Sequence, residues 1–280
     1  MKKRRLLSLF LSFALLIPLF GLTQADAYED FDLDAKAGLL IEADTGEILY
    51  EKNAHQENYP ASLTKVMVAL LVFEAIDEGK IALTDSVTAT ESAFEGLSSD
   101  GSTANIVPGE TMTVEQLLNC MLIVSANEAC NILGEHLSGS VEAFVARMNE
   151  RASELGCEHT HFANATGLHD PQHYTTAWDF SRIVREAAKH ELFMTIASTI
   201  NYTVPDTNVS SERVLESTNS LVNPTNPLYP GDWGYEYAKG IYKENDFGAG
   251  SEKSGIMLML SMEARDYALI AYGEGNTVLT

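Results

Sequence analysis

Ser62 and Lys65 stand three residues apart at the head of a run, Ser62 to about Glu78, that is apolar on every face from Val66 to Val72. A helix apolar all round is a buried one, and residues three apart share a helix face. The hydroxyl and the amine can therefore meet. Plain capping would also suit Ser62, but a capping box would put Glu or Gln at the third position. Lysine there opposes the positive end of the helix dipole, and burial disfavours its charge; both effects favour the neutral amine. A hydroxyl beside a neutral amine is an activated nucleophile, and backbone N–H groups at the same helix start could stabilise an oxyanion. Ser125-Ala126-Asn127 falls in a break between helical runs. Its hydroxyl could relay a proton to a leaving amine while Asn127 holds a substrate amide. A capping role fits Ser125 equally well.

The elements that must position these groups follow strand, helix, strand order. Gly38 to Ile41 and Ile48 to Tyr50 are short apolar runs around Asp44-Thr45-Gly46, a hairpin signal. Thr113-Val114-Glu115 opens a second helix by the small-polar-then-acid signal, and helical text continues with breaks to about Leu155. Trp178 to His190 is a further amphipathic stretch, and the segment from Asn219 to Gly234, with Pro224, Pro227 and Pro230, reads as an ordered loop. Strand-like runs return at Ile256 to Met262 and Tyr267 to Tyr272. One antiparallel sheet built from both chain ends, with an all-helical lobe between, makes an α+β fold.

Composition narrows the function classes. The 280 residues carry 40 acids against 18 bases, a formal charge of −22. Nucleic acid is not an expected partner, because neutralising phosphates needs a basic face. Lys2 to Arg5 precede an apolar run to Leu22 and a small-x-small site at Ala25-Asp26-Ala27, the order of a secretory signal peptide over residues 1–27. Residues 28–280 then form the working domain, outside the cytoplasm. Cys120, Cys130 and Cys157 are odd in number, so at least one lacks an internal partner; Cys120 and Cys130, in apolar helical text, read as small buried hydrophobes. His159, His161, His169 and His173 have spacings that could suit a metal.

Taken together, the S-x-x-K and serine-x-asparagine elements resemble those of serine penicillin-binding proteins and β-lactamases, which add a K-T-G element later in the chain. Over almost all of residues 28–280 the sequence is similar to the D-alanyl-D-alanine carboxypeptidases among them. Pro60-Ala61-Ser62-Leu63-Thr64-Lys65 and Ser125-Ala126-Asn127 carry the resemblance. Asn164-Ala165-Thr166-Gly167-Leu168, His173-Tyr174-Thr175-Thr176-Ala177, Ser217-Thr218-Asn219 and Lys239-Gly240-Ile241 add to it. It implies a five-stranded sheet flanked by helices, Ser62 as acyl-ester nucleophile, Lys65 as general base, Ser125 as proton shuttle and Asn127 as substrate holder. The implied reaction is removal of the terminal D-alanine from peptidoglycan stem peptides, with β-lactams acylating the same serine and no cofactor. The carboxypeptidases carry similar histidine text and need no metal. Glu115 to Asn119 spells the E-x-x-L-N element of class A β-lactamases, but it precedes Ser125 instead of following the serine-x-asparagine element, and reads as helix surface and core.

The third motif departs from the pattern. Lys239-Gly240-Ile241 continues into Tyr242-Lys243-Glu244 where K-T-G is expected. Lys243 thus sits one place late, which in a strand turns a side chain to the opposite face unless a bulge restores it. Lys253-Ser254-Gly255 is closer in letters, but Lys243 leaves room for both later strands and is the expected contact to the substrate's terminal carboxylate. An altered third motif also admits a catalytically impaired descendant that binds muropeptides or a cell-wall partner. The chain stops at Thr280, so the reading expects a C-terminally truncated domain with no C-terminal membrane anchor.

Overall fold

Apolar segments at both ends of the chain meet in one antiparallel sheet, in the order Ile48–Lys52 (β2), Gly38–Ile41 (β1), Gly255–Leu260 (β7) and Tyr267–Tyr272 (β8). The computed structural model describes residues 36–41, 46, 48–219, 255–260 and 267–272. Strand β1 (Gly38–Ile41) is buried along its whole length. It pairs with β2 (Ile48–Lys52) on one side and β7 (Gly255–Leu260) on the other, Leu40 facing Tyr50 and Met257. Strand β8 (Tyr267–Tyr272) closes the sheet against β7. The α+β expectation, with strands contributed from both ends, holds.

Helix α1 (Thr64–Asp77) runs through the centre of the molecule. Met67, Val68, Ala69 and Val72 have no exposed surface, and Leu70 and Leu71 only 1%. Each large aliphatic side chain so buried contributes roughly 1.5–3 kcal/mol, which makes α1 the keel of the core. Its first turn differs from the expectation. Ala61–Leu63 form a separate 3-10 turn, and α-helix begins only at Thr64.

Helix α2 (Val114–Ile123) starts at the expected place. Thr113 Oγ1 accepts from the Gln116 N–H while the Gln116 side chain accepts from the Thr113 N–H, a complete capping box worth about 1 kcal/mol. Helices α3 (Asn127–Ser138) and α4 (Val141–Glu154) follow, then α5 (Ala177–Ala187) and α6 (Glu191–Ala197). Helix α1 contacts α2, α3, α4 and α5, and α5 in turn packs on β1.

The lobe is helical at its centre but carries two small sheets that the sequence reading did not contain: β3 (Ser86–Thr88) with β4 (Thr111–Thr113), and β5 (Asn201–Val204) with β6 (Arg213–Glu216). Glu110, 1% exposed, fastens one to the other. It accepts from Arg213 Nη2 at 2.6 Å, Thr207 Oγ1 at 3.0 Å and Ser210 Oγ at 3.1 Å. Cys120 and Cys130 are buried free thiols, as expected of small core hydrophobes, and Cys157 is buried and free as well. Among the described residues, no helix is long and apolar enough to cross a membrane. The leader, the proline-rich segment beyond Asn219, and Lys239, Lys243 and Lys253 lie outside the described residues.

Candidate active site

Four of the five residues singled out by sequence converge at the head of α1. Ser62, on the 3-10 turn, has its Oγ 3.3 Å from Lys65 Nζ and 3.0 Å from Ser125 Oγ. Lys65 Nζ also donates to Asn127 Oδ1 at 2.9 Å and to the Thr166 carbonyl at 2.7 Å. Lys243, the fifth, is not among the described residues.

Lys65 is 3% exposed, and its pKa lies below the ordinary lysine value because burial desolvates the ammonium; a Cys130 thiolate and the Glu128 carboxylate would oppose the shift. Burial pushes Cys130 itself up to about 11, so at neutrality it is an uncharged thiol and its opposition lapses. A neutral amine has two N–H donors and one lone pair. The two donors match Asn127 Oδ1 and the Thr166 carbonyl, and the lone pair is left for the Ser62 O–H. Ser125 can then donate to Ser62 Oγ. This inventory closes with every group paired, and it directs the Ser62 proton at a base.

Ser125 occupies the turn between α2 and α3 with φ +60°, a left-handed conformation that costs a non-glycine residue about 1–3 kcal/mol. The neighbours hold it there. The Ala126 N–H bonds to the Cys120 carbonyl, Asn127 N–H to Ser102 and Thr218 N–H to Ile123. A capping role for Ser125 does not survive, since α3 is capped by Ala126 without a side-chain bond. The strained turn aims the hydroxyl at Ser62 instead.

Asn127 extends from the first position of α3, 6% exposed, with Oδ1 on Lys65. Its Nδ2 faces Gly101, where an added Cβ would lie 2.7 Å away. Glu128, the next residue, is 3% exposed and accepts from Thr103 Oγ1 and the Ala104 N–H, so it ties the 101–106 loop to the site. On the opposite wall Gly167, at φ +88°, packs its backbone on the Ala61–Leu63 turn; a Cβ there would lie 1.9 Å from the Ala61 oxygen. The sequence reading assigned no role to Gly101, Glu128, Thr166 or Gly167. The letters Asn164 to Leu168 were a family signature without a function, because the group that matters is a backbone carbonyl.

The four histidines do not assemble. His159 Nδ1 meets Glu57, His161 Nδ1 meets the Gln172 carbonyl, His169 packs on Tyr59, and His173 is buried against Thr64. Among the described residues no group of three or more His, Cys, Asp or Glu side chains is placed to hold a metal ion. Glu115 is exposed and Asn119 is turned back on the Glu115 carbonyl, which is helix surface and core as expected.

The chain matches the D-alanyl-D-alanine carboxypeptidase family over residues 23–231. It is 40% identical over 198 residues to the D-alanyl-D-alanine carboxypeptidase DacF of Bacillus subtilis, covering 71% of this chain and 49% of that protein. DacA of Haemophilus influenzae is 37% identical over 151 residues, covering 54% of this chain and 38% of its own length. The chain thus spans about half or less of these relatives. With DacB2 of Mycobacterium tuberculosis it shares 27% identity over 244 residues, 86% of this chain and 78% of that one. Penicillin-binding protein 5 of Haemophilus influenzae superposes with a TM-score of 0.65 at 26% identity, over 88% of this chain and 66% of that one. Penicillin-binding protein 6B of Escherichia coli, at 22% identity, shares the fold with a TM-score of 0.67 over 91% of this chain and 78% of that one.

Proposed function

Because the chain belongs to the D-alanyl-D-alanine carboxypeptidase family, we propose that it is an exported serine-type carboxypeptidase that removes the terminal D-alanine from peptidoglycan stem peptides. The observation that best supports this is the Ser62 hydroxyl, set between a buried amine and a second hydroxyl. Lys65 takes the Ser62 proton as Oγ attacks the carbonyl of the penultimate D-alanine. The proton passes through Ser125 to the nitrogen of the departing D-alanine as the C–N bond breaks. Water then hydrolyses the ester and restores Ser62.

Asn127 has Oδ1 engaged by Lys65, so its Nδ2 is the group that holds the substrate's amide carbonyl. The Leu63 and Thr64 N–H groups are already bonded to Pro60 and Ala61 carbonyls, so the donor this turn offers an oxyanion is the Ser62 N–H. Lys243 meets the substrate's terminal carboxylate. Residues 1–27 act as the export signal and residues 28–280 as the catalytic domain in the cell wall, where β-lactams acylate Ser62.

Fluorescent penicillin and a stem pentapeptide ending in D-Ala-D-Ala test the reading. Wild type is expected to label and to release D-alanine, and Ser62→Ala to do neither. Absence of labelling in wild type, or undiminished labelling of Ser62→Ala, overturns it.

A further inference from the structure

His173 is 2% exposed and makes two side-chain hydrogen bonds. Nδ1 accepts from the Ala163 N–H at 3.1 Å, which leaves Nε2 to carry the ring proton. Nε2 then donates to Thr64 Oγ1 at 2.7 Å. Thr64 is the first residue of α1, between Ser62 and Lys65. Ala163 enters the loop whose Thr166 carbonyl receives Lys65.

That loop is internally rigid. Asn164 Oδ1 accepts from the Thr166 and Gly167 N–H groups and the Thr166 hydroxyl, and Asn164 Nδ2 donates to the Leu168 carbonyl. Such a loop moves as one piece, so its anchors set where the Thr166 oxygen sits. One anchor is Asn149, bonded both ways to Phe162. Another is Gly167 on the Ala61 carbonyl. The third is His173, which ties the loop's entry to Thr64, the first residue of α1, set between the nucleophile's turn and the base.

We infer that His173 is a positioning residue for the acyl-transfer site: its imidazole spaces Thr64 from Ala163 and thereby holds the Thr166 carbonyl on Lys65. The inference rests on the reading of Ser62 and Lys65 as nucleophile and base. His173 transfers no proton in this role. Desolvation pushes its pKa down to about 4, with Asp170 opposing and His161 adding to the shift, so it is neutral wherever Lys65 can act. Lys65 itself faces Ser62 on its own helix side, Asn127, Glu128 and Cys130 from α3, and Thr166 from the loop. When the bridge is cut, the loop can draw back and water can reach the amine. Geometry at the base loosens, and its desolvation is relieved.

The test uses His173→Ala and Thr64→Val, which each remove one end of the bridge, and His173→Gln, whose amide offers a donor to Thr64 and an acceptor to Ala163. Two quantities are read on folded protein, with the folded fraction fixed by circular dichroism. One is the rate constant of Ser62 acylation by a fluorescent penicillin, separated from its dissociation constant. The other is the titration of Lys65, followed by NMR of isotopically methylated lysines and assigned with Lys65→Arg. His173→Ala and Thr64→Val should acylate about 10- to 100-fold more slowly with the dissociation constant little changed. The Lys65 titration should move up toward an ordinary lysine, and His173→Gln should recover most of both losses. Wild-type acylation per folded molecule with an unmoved Lys65 titration overturns the inference, even if the variants melt earlier. Should wild type itself fail to label, the acyl-transfer reading falls, and the Lys65 titration alone decides whether His173 positions the loop.

Discussion

At the scale of single residues, the proposed acyl transfer requires one nitrogen to give up its charge. Lys65 is surrounded by three acceptors within 3.3 Å, and a cation satisfied by all three would be an inert structural lysine. Burial acts against that cation, lowering the Lys65 pKa. Lys65→Arg keeps the charge and most of the volume but cannot deprotonate, so acylation of Ser62 should fall by about 10²–10⁴-fold while the circular dichroism spectrum is retained. In wild type the acylation rate should climb with pH as Lys65 loses its proton, reaching its plateau below the pH an ordinary lysine would require; stopped-flow labelling across pH measures this. An Arg variant that acylates at the wild-type rate would remove Lys65 from the base role. The Ser62–Lys65 pairing was legible because three-residue spacing fixes a shared helix face. The Thr166 carbonyl was not, since a backbone oxygen is indifferent to the letter that carries it. His173 carried no assigned role in the sequence, because the histidine spacings that could suit a metal matched text that needs none, and its partner Thr64 lies 109 residues away.

At the scale of elements, a close backbone contact adds to the side-chain anchors of the 164–168 loop beside Ser62. Gly167 and Gly139 both have positive φ, +88° and +82°, yet only Gly167 is crowded: its missing Cβ would fall 1.9 Å from the Ala61 oxygen, whereas nothing lies within 4 Å at Gly139. Gly139→Ala should therefore cost only the conformational strain, about 1 kcal/mol, and leave acylation unchanged. Gly167→Ala must also push the 164–168 loop off the turn that carries Ser62, so it should lose acylation as well as melting temperature. Equal activity in the two variants would contradict a loop seated on Ala61. The same scale explains what the sequence reading missed. Helix α1 shows its burial in a long apolar run, but β3, β4, β5 and β6 each present a single buried residue, namely Val87, Met112, Val204 and Leu215. A two-residue period cannot register in strands this short; only β5 adds a second inward residue, Tyr202, two before Val204, so both small sheets were invisible. The sheet strands β1, β7 and β8 were visible as apolar runs.

At the scale of the whole molecule, two buried groups far apart in sequence make the fold sensitive to acid, against the trend its surface would set. A formal charge of −22 repels itself, and acidification relieves that repulsion; at physiological ionic strength, however, charges more than about 8 Å apart are largely screened. His173 and Glu110 act in the opposite sense. Burial pushes His173 from 6.5 down to about 4. Burial alone would raise Glu110, but the Arg213 guanidinium, the Val107 N–H and the Thr207 hydroxyl outweigh it and hold the carboxyl below its ordinary 4.5. In both cases the unfolded chain binds protons more readily than the folded one, so stability is present at neutrality and is lost as pH falls. The His173 contribution, on the order of 3 kcal/mol for a shift of that size, should drain between pH 6.5 and about 4, and that of Glu110 below 4.5. Melting temperature measured from pH 8 to 3.5 in physiological salt should therefore decline in two stages below pH 6.5, beneath a shallower slope at higher pH from Lys65, whose lowered pKa also leaves the unfolded chain binding protons more readily. His173→Gln should erase the upper stage. Glu110→Gln should erase the lower one, while costing about 1–3 kcal/mol at neutral pH because the half-buried Arg213 loses its charged partner. A melting temperature that holds steady or rises from pH 6.5 to 4.5 would show that these two sites do not govern the acid response.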